Sequence, residues 1–191
     1  PFVAAGLALW AGRRLGQRSG FLIVLAAAAS FLQCLHLAAG SAGTRVMFVH
    51  EWMPSLHVAL SFRGDPFGLF FALLISGIGT LVGIYSLSYI PKLAPARVGR
   101  YYASLLAFMG AMLGVALADD LILLFIFWEV TSVTSFLLIG FWYEDDKARK
   151  GALTALLVTA LGGLTMMIGF IIVGITTESF SLQALASQAG L

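Results

Sequence analysis

The chain has 191 residues; 60% are apolar or aromatic and only 10% are charged, against about 25% charged in an average soluble domain. This excludes a disordered segment, which needs low hydrophobicity and high charge. It also excludes an ordinary soluble domain, because a chain of this length buries only about 70% of its unfolded surface. Lipid is the solvent that fits. The lone cysteine, Cys34, excludes an internal disulfide framework and a cysteine-rich metal site, and a net charge of +2 is too small for a nucleic-acid binder.

Taken in chain order, residues 1–12 are apolar but too short to cross a membrane. The chain does not begin with Met, and no basic segment precedes the apolar run as a signal peptide requires. This stretch therefore reads as the tail of a first span whose start lies outside the sequence. Residues 19–44, 66–91, 101–118 and 151–177 carry no Asp, Glu, Lys or Arg. Each is about the 20 residues needed to cross the hydrocarbon core as a helix. Residues 121–143 form a similar stretch with one charge inside it, Glu129. The expectation is an all-α polytopic membrane protein. A bundle of about six transmembrane helices, the first partial, would form a single transmembrane domain over residues 1–191.

The one long connection is 41–65. In it Leu56, Val58, Leu60 and Phe62 alternate with His57, Ala59, Ser61 and Arg63, the period of a strand. Met53-Pro54-Ser55 supplies turn residues. A small external β-hairpin is expected there, capping the bundle or touching a neighbouring subunit.

The basic residues orient the bundle. Arg13, Arg14 and Arg18 lie in loop 12–19, Lys92, Arg97 and Arg100 in 91–100, and Lys147, Arg149 and Lys150 in 143–150. Only Arg45 and Arg63 fall on the other side. The positive-inside rule makes the three basic loops cytoplasmic. Within the spans, Gly79–Gly83 and Gly110–Gly114 are GxxxG pairs, and Gly162, Gly163, Gly169 and Gly174 punctuate the last one. Small residues of this kind allow helices to approach closely.

Glu129 lies about 12 Å along its helix from Leu121, near the middle of the bilayer. Insertion scales put the cost of a carboxylate there at roughly 3 kcal/mol, because lipid disfavours its charged form. Two uses fit such a residue: a group that binds and releases a proton, or a structural carboxyl hydrogen-bonded to another helix. Thr131 and Ser132 lie close by, with Thr134 and Ser135 beyond. Their hydroxyls either hold hydrogen bonds and water beside the carboxylate or bond back to their own helix carbonyls.

His36, near the outer end of its span, fits a proton relay or a hydrogen-bonded structural histidine. His50 and His57 read as surface residues. Asp119 and Asp120 either complement the dipole of the Glu129 helix or mark an ion mouth. Lys150 either reaches the interior or snorkels to the interface. No phosphate loop, haem attachment, metal-ligand spacing or nucleophile–base pair is present in the sequence. No cofactor, no metal and no enzyme chemistry are expected.

The stretch Phe127-Trp128-Glu129-Val130-Thr131-Ser132-Val133-Thr134-Ser135-Phe136-Leu137-Leu138-Ile139-Gly140-Phe141-Trp142 resembles the glutamate-bearing fifth helix of the A subunit of Mrp-type multisubunit cation/proton antiporters. Trp52-Met53-Pro54-Ser55-Leu56, the run from Phe71 to Val82, and Phe108-Met109-Gly110-Ala111-Met112-Leu113-Gly114 are similar to the same family. The likeness runs in order from the first span to Leu182. It implies that the chain corresponds to the N-terminal part of a longer subunit, related to the antiporter-like, proton-pumping subunits of respiratory complex I.

The resemblance further implies that Glu129 is the family's proton-handling carboxylate, working with a lysine on the next helix, which this chain does not reach. Thr131, Ser132, Lys150 and His36 join it as candidates for proton or ion translocation. The implied activity is Na⁺/H⁺ exchange in a bacterial cell membrane, in complex with other Mrp subunits. The alternative is a proton-pumping subunit of complex I or of a membrane-bound hydrogenase. Complex I relatives carry an Arg and an Asp in the sixth span where this chain has Ala160 and Gly163, which favours the Mrp branch. Thr154 stands where a lysine is common in relatives, so Lys150 is the available cation at that end.

Overall fold

The computed structural model describes residues 1–16, 19–40, 46–53, 58–90 and 94–188. Among the sequence-predicted features, Arg18, Arg45, His57, Lys92 and the turn residues Pro54 and Ser55 lie outside the described residues. The elements follow in the order α1 (Phe2–Leu15), α2 (Ser19–Gly40), β1 (Val46–Met53), β2 (Val58–Gly64), α3 (Pro66–Tyr89), α4 (Pro95–Leu117), α5 (Leu121–Ile139), α6 (Asp146–Thr177) and α7 (Leu182–Gln188).

Helices α2 to α6 are each long and apolar enough to cross a membrane, and α1 carries only a short apolar stretch, Phe2–Gly12. The expected five full spans and one partial one are therefore present. Even the shortest, α5 with 19 residues, rises about 28 Å, close to the thickness of the hydrocarbon core. Polar residues at the helix starts fix where each begins. Asp65 accepts from the Gly68 N–H at 2.7 Å ahead of Pro66, Asp120 accepts from Ile122 and Leu123, and Asp145 accepts from Lys147. Each satisfies helix donors that have no partner inside the helix. α1 ends at Gly16, whose φ of 52° suits a residue without a Cβ.

α4 is the centre of the bundle. It packs against α1, α3 and α5; α2 lies on α3, and α6 on α5. Val98, Tyr102, Leu106 and Met109 of α4 are buried, joined by Ala5 and Ala8 of α1 and Ile23 and Ala27 of α2. The α1–α4 crossing is backbone on backbone: a Cβ on Gly12 would overlap the Gly99 main chain. The GxxxG pairs do not each form one seam. Gly79 faces Met109 of α4 while Gly83 faces Val24 of α2, and Gly110 faces Phe2 while Gly114 faces the Phe127 ring. Small residues here let one helix touch two neighbours rather than one partner along a stripe. α6 is the contrast, with Leu157, Leu161, Leu164, Ile168, Ile172 and Ile175 all largely exposed.

The hairpin is present. β1 and β2 pair antiparallel from Val46↔Gly64 to Met53↔Val58, with an irregularity between Glu51 and Met53. The second strand begins at Val58, and Leu56 lies outside the described residues. β2 caps the bundle: Phe62 bridges to Ala118, and its ring lies 5.8 Å from that of Phe127.

Candidate functional site

Glu129 lies midway along α5 and faces α6. Its Oε1 is buried, and among the described residues it accepts no hydrogen bond and Glu129 has no ion-pair partner within 4 Å. The surface it meets is the Cα of Gly163: a Cβ built there would overlap Oε1 and come within 3.3 Å of Cδ. The indole Cδ1 of Trp128 would be 3.7 Å from that Cβ. The carboxyl end is thus set into the seam between α5 and α6 at a point where α6 offers only a hydrogen. Buried polar atoms without a partner are rare in folded proteins, and an orphaned acceptor in a lipid-facing bundle is costly.

The hydroxyls expected beside it turn away. Thr131 Oγ1 donates to the Trp128 carbonyl at 2.6 Å, and Ser132 Oγ donates to the same carbonyl at 3.3 Å. Thr134 donates to the Val130 and Thr131 carbonyls. Each satisfies its hydroxyl within its own helix, leaving no donor for the carboxylate. Lys150 is exposed in the first turns of α6, and its carbonyl accepts from Thr154 Oγ1 at 2.9 Å. It stands thirteen residues before Gly163, about 20 Å along the helix, beyond the reach of its side chain. His36 is exposed on α2, a helix that packs on α3, α1 and α4 rather than on the α5–α6 seam. The structure therefore brings Glu129 together with Gly163 and Trp128, and not with Lys150 or His36.

At the hairpin end of α5, a polar cluster gathers residues that the sequence keeps far apart. Asp119 is fully buried. Its Oδ1 lies 3.4 Å from Arg63 Nε, and its Oδ2 accepts from Ser181 Oγ at 3.1 Å. Its N–H donates to the Ser61 carbonyl at 2.9 Å, and its own carbonyl accepts from the Leu182 N–H at 2.7 Å. Asp120 caps α5 and also accepts from the Ala59 N–H at 3.4 Å. Burial, the largest influence, pushes the Asp120 carboxyl above the usual carboxylate range, against the backbone N–H groups that favour its charge. These contacts tie β2, the start of α5 and the α6–α7 connection together. Of the two readings of this pair, the helix-capping one describes Asp120. The partnership of Asp119 with Arg63 and Ser181 is a feature sequence reasoning missed. The one signal for it is Arg63 itself, a basic residue on the side with few.

At the opposite end, Arg97 pairs with Glu144 at 2.9 Å and lies 5.4–5.9 Å from the rings of Phe141, Trp142 and Tyr143. That hydrogen bond holds the exposed Glu144 carboxyl below its usual range. A cavity of about 610 Å³ lies between α1, α4 and α5, lined by Ala5, Leu9, Arg100, Ser104, Thr134 and Phe141 among others. It is largely apolar and does not include Glu129, so the orphaned carboxyl marks the candidate site better than the cavity does.

Residues 118–190 match the family described as "NADH:quinone oxidoreductase/Mrp antiporter, TM". Residues 52–102 match "NADH-Ubiquinone oxidoreductase (complex I), chain 5 N-terminus". The chain is 46% identical over 147 residues to Na(+)/H(+) antiporter subunit A1 of Staphylococcus aureus strain JH9, covering 77% of this chain and 18% of that protein. It is similar to the Mrp complex structure from Dietzia sp. DQ12-45-1b, with a TM-score of 0.82, 31% identity, and coverage of 95% of this chain and 19% of that one. The membrane-bound sulfane sulfur reductase, an archaeal respiratory membrane complex, shares the fold, with a TM-score of 0.80, 20% identity, and coverage of 98% and 28%. The chain thus spans about a fifth of the length of the antiporter subunits it matches.

Proposed function

The chain is a homologue of the A subunit of Mrp-type Na⁺/H⁺ antiporters, and from that premise we propose that it forms part of a subunit exchanging Na⁺ for H⁺ across a bacterial cell membrane, with Glu129 as a proton site. It is a transporter subunit and not a classical enzyme. It works in a hetero-oligomeric complex with other Mrp subunits. The loops 12–19, 91–100 and 143–150 face the cytoplasm, in accord with their basic residues.

One observation carries this reading. Glu129 is the only charged residue within α5, and its Oε1 is buried with no hydrogen-bond donor. The structural carboxyl of Asp119 has an ion pair with Arg63 and a hydrogen bond from Ser181, and among the described residues Glu129 has neither kind of partner. A carboxylate inside the membrane needs a cation, water or a second helix to stabilise its charge. A group in that condition takes up and releases a proton as its surroundings change. The remaining helices of the subunit supply that change, including the lysine that the family resemblance implies.

The test uses the complete subunit in its assembled complex. Glu129→Gln removes the titratable proton and keeps the shape. Na⁺-dependent proton movement in everted vesicles is expected to disappear while the complex still assembles. Unchanged exchange would sink the assignment, and loss of assembly would return Glu129 to a structural role. A second reading, a redox-driven proton-pumping subunit, is favoured by the complex I descriptions of the two matching families. Quinone- or hydrogen-dependent activity and co-purifying Fe–S subunits would identify it.

A further inference from the structure

The five glycines of α6 differ in what surrounds them. At Gly151, Gly162 and Gly169 a Cβ would meet nothing within 4 Å. At Gly174 it would overlap the Phe180 ring, a rigid group. At Gly163 it would overlap the oxygen of an ionisable side chain, Glu129 Oε1. Gly163 is also buried, while Leu161, Gly162 and Leu164 beside it are exposed. No other charged side chain is available to hold the carboxyl in the seam from either helix. α5 carries only Glu129, and residues 151–177 of α6 carry none.

From this we infer that Gly163 is a positioning residue for Glu129: the absence of a side chain at 163 lets the carboxyl lie in the α5–α6 seam. The inference rests on the reading of Glu129 as a proton site. A methyl group at 163 would occupy the volume of Oε1. The atom displaced is the end of a flexible chain with three rotatable bonds, so the carboxyl moves and the helices do not. Substitution at 163 is therefore expected to relocate a functional group without undoing the packing. At Gly114 a Cβ would instead run into the Phe127 ring, which cannot swing aside.

A size exchange in the complete subunit and assembled complex tests this. Gly163→Ala is expected to leave assembly intact. Na⁺/H⁺ exchange should fall by about 10- to 100-fold, the scale set by small displacements of reacting groups, and the pH of half-maximal exchange should shift. Glu129→Asp, one methylene shorter, withdraws the carboxyl. Alone it should lower exchange; combined with Gly163→Ala it should recover part of the loss, because the shorter side chain no longer meets the added methyl. Gly162→Ala, whose Cβ enters open space, should exchange at the native rate.

Native exchange with an unshifted pH profile in Gly163→Ala overturns the inference. So does a loss in Gly163→Ala that follows reduced assembly, or one that Glu129→Asp fails to relieve. If Glu129→Gln abolishes exchange while Gly163→Ala leaves it native, the proton-site reading stands and the positioning role falls. If Glu129→Gln itself exchanges normally, the reading of Glu129 falls first and takes this role with it.

Discussion

Asp119 and Asp120 at the start of α5 and Glu129 midway along it stand about 14 Å apart along its axis, with opposite surroundings. Asp119 is wholly buried, yet its oxygens meet Arg63 and Ser181 and its main chain is bonded to Ser61 and Leu182. Asp120 accepts from three backbone N–H groups. Glu129 has none of this; its Oε1 rests against the Cα of Gly163. Asp119 Oδ1 also lacks a hydrogen bond, but it has the Arg63 guanidinium 3.4 Å away; among the described residues Glu129 has neither a hydrogen bond nor an ion pair. Thr131 and Ser132 are close by and spend their hydroxyls on the Trp128 carbonyl. Partnered carboxyls hold elements together, and among the described residues Glu129 is bonded to no other element.

Substitutions at the two places should separate function from stability. The largest effect is the loss of exchange in Glu129→Gln, with little change in the melting temperature of the purified complex, since no donor bond is removed. Asp119→Ala should do the reverse. It takes the partner from Ser181 and, among the described residues, leaves Arg63 with Asp65 alone, 3.5 Å away, and breaking one side of a buried pair costs several kcal/mol. Arg63 keeps 22% of its side chain exposed, which places the loss at about 3 kcal/mol, read as a lowered melting temperature. Removing both partners in Arg63→Ala with Asp119→Ala should cost less than Asp119→Ala alone, because the half-buried guanidinium is no longer left with Asp65 as its one ion-pair partner among the described residues. A double variant less stable than the single one would mean that the pairing of Arg63 with Asp65 outweighs its pairing with Asp119, and the contrast would blur.

The sequence carries the spans because lipid forbids charge over about 20 residues, and it carries Glu129 because that prohibition is broken once. The hairpin is legible from its alternation, and among the described residues β2 runs from Val58 to Gly64. What Glu129 faces is not legible. α5 is apolar on nearly every side, so no amphipathic stripe points to a neighbour, and only the packing of α6 brings in Gly163. Arg63 and Asp119 are 56 positions apart, and Asp119 and Ser181 are 62. Nothing local announces contacts at that distance. The direction of the hydroxyls is likewise settled by competition between their own helix carbonyls and a carboxyl, which composition cannot weigh. The family resemblance reached further than periodicity here, because it compares whole ordered motifs.

The smallest effect is expected at Asp120, where it tests whether charge or hydrogen bonding matters at the partnered end. Burial raises its carboxyl above the ordinary value of 3.8, and the N–H groups of Leu123, Ala59 and Ile122 offset only part of that. As the pH falls, the folded chain therefore takes up a proton here before the unfolded chain does. The stability from this linkage is complete below the ordinary value and is lost as the pH rises through the raised one. Asp120→Asn keeps an acceptor for the first turn of α5 and removes the charge. It should melt within about 0.5 kcal/mol of the native protein at neutral pH, and Asp120→Ala should lose about 1 kcal/mol. Melting the purified complex at pH 5 and pH 8 checks both, since the gap between native and Asn forms should narrow at the lower pH. If Asn melts as low as Ala, the charge on the helix dipole is what Asp120 contributes, and the hydrogen bonds to Ile122 and Leu123 count for little.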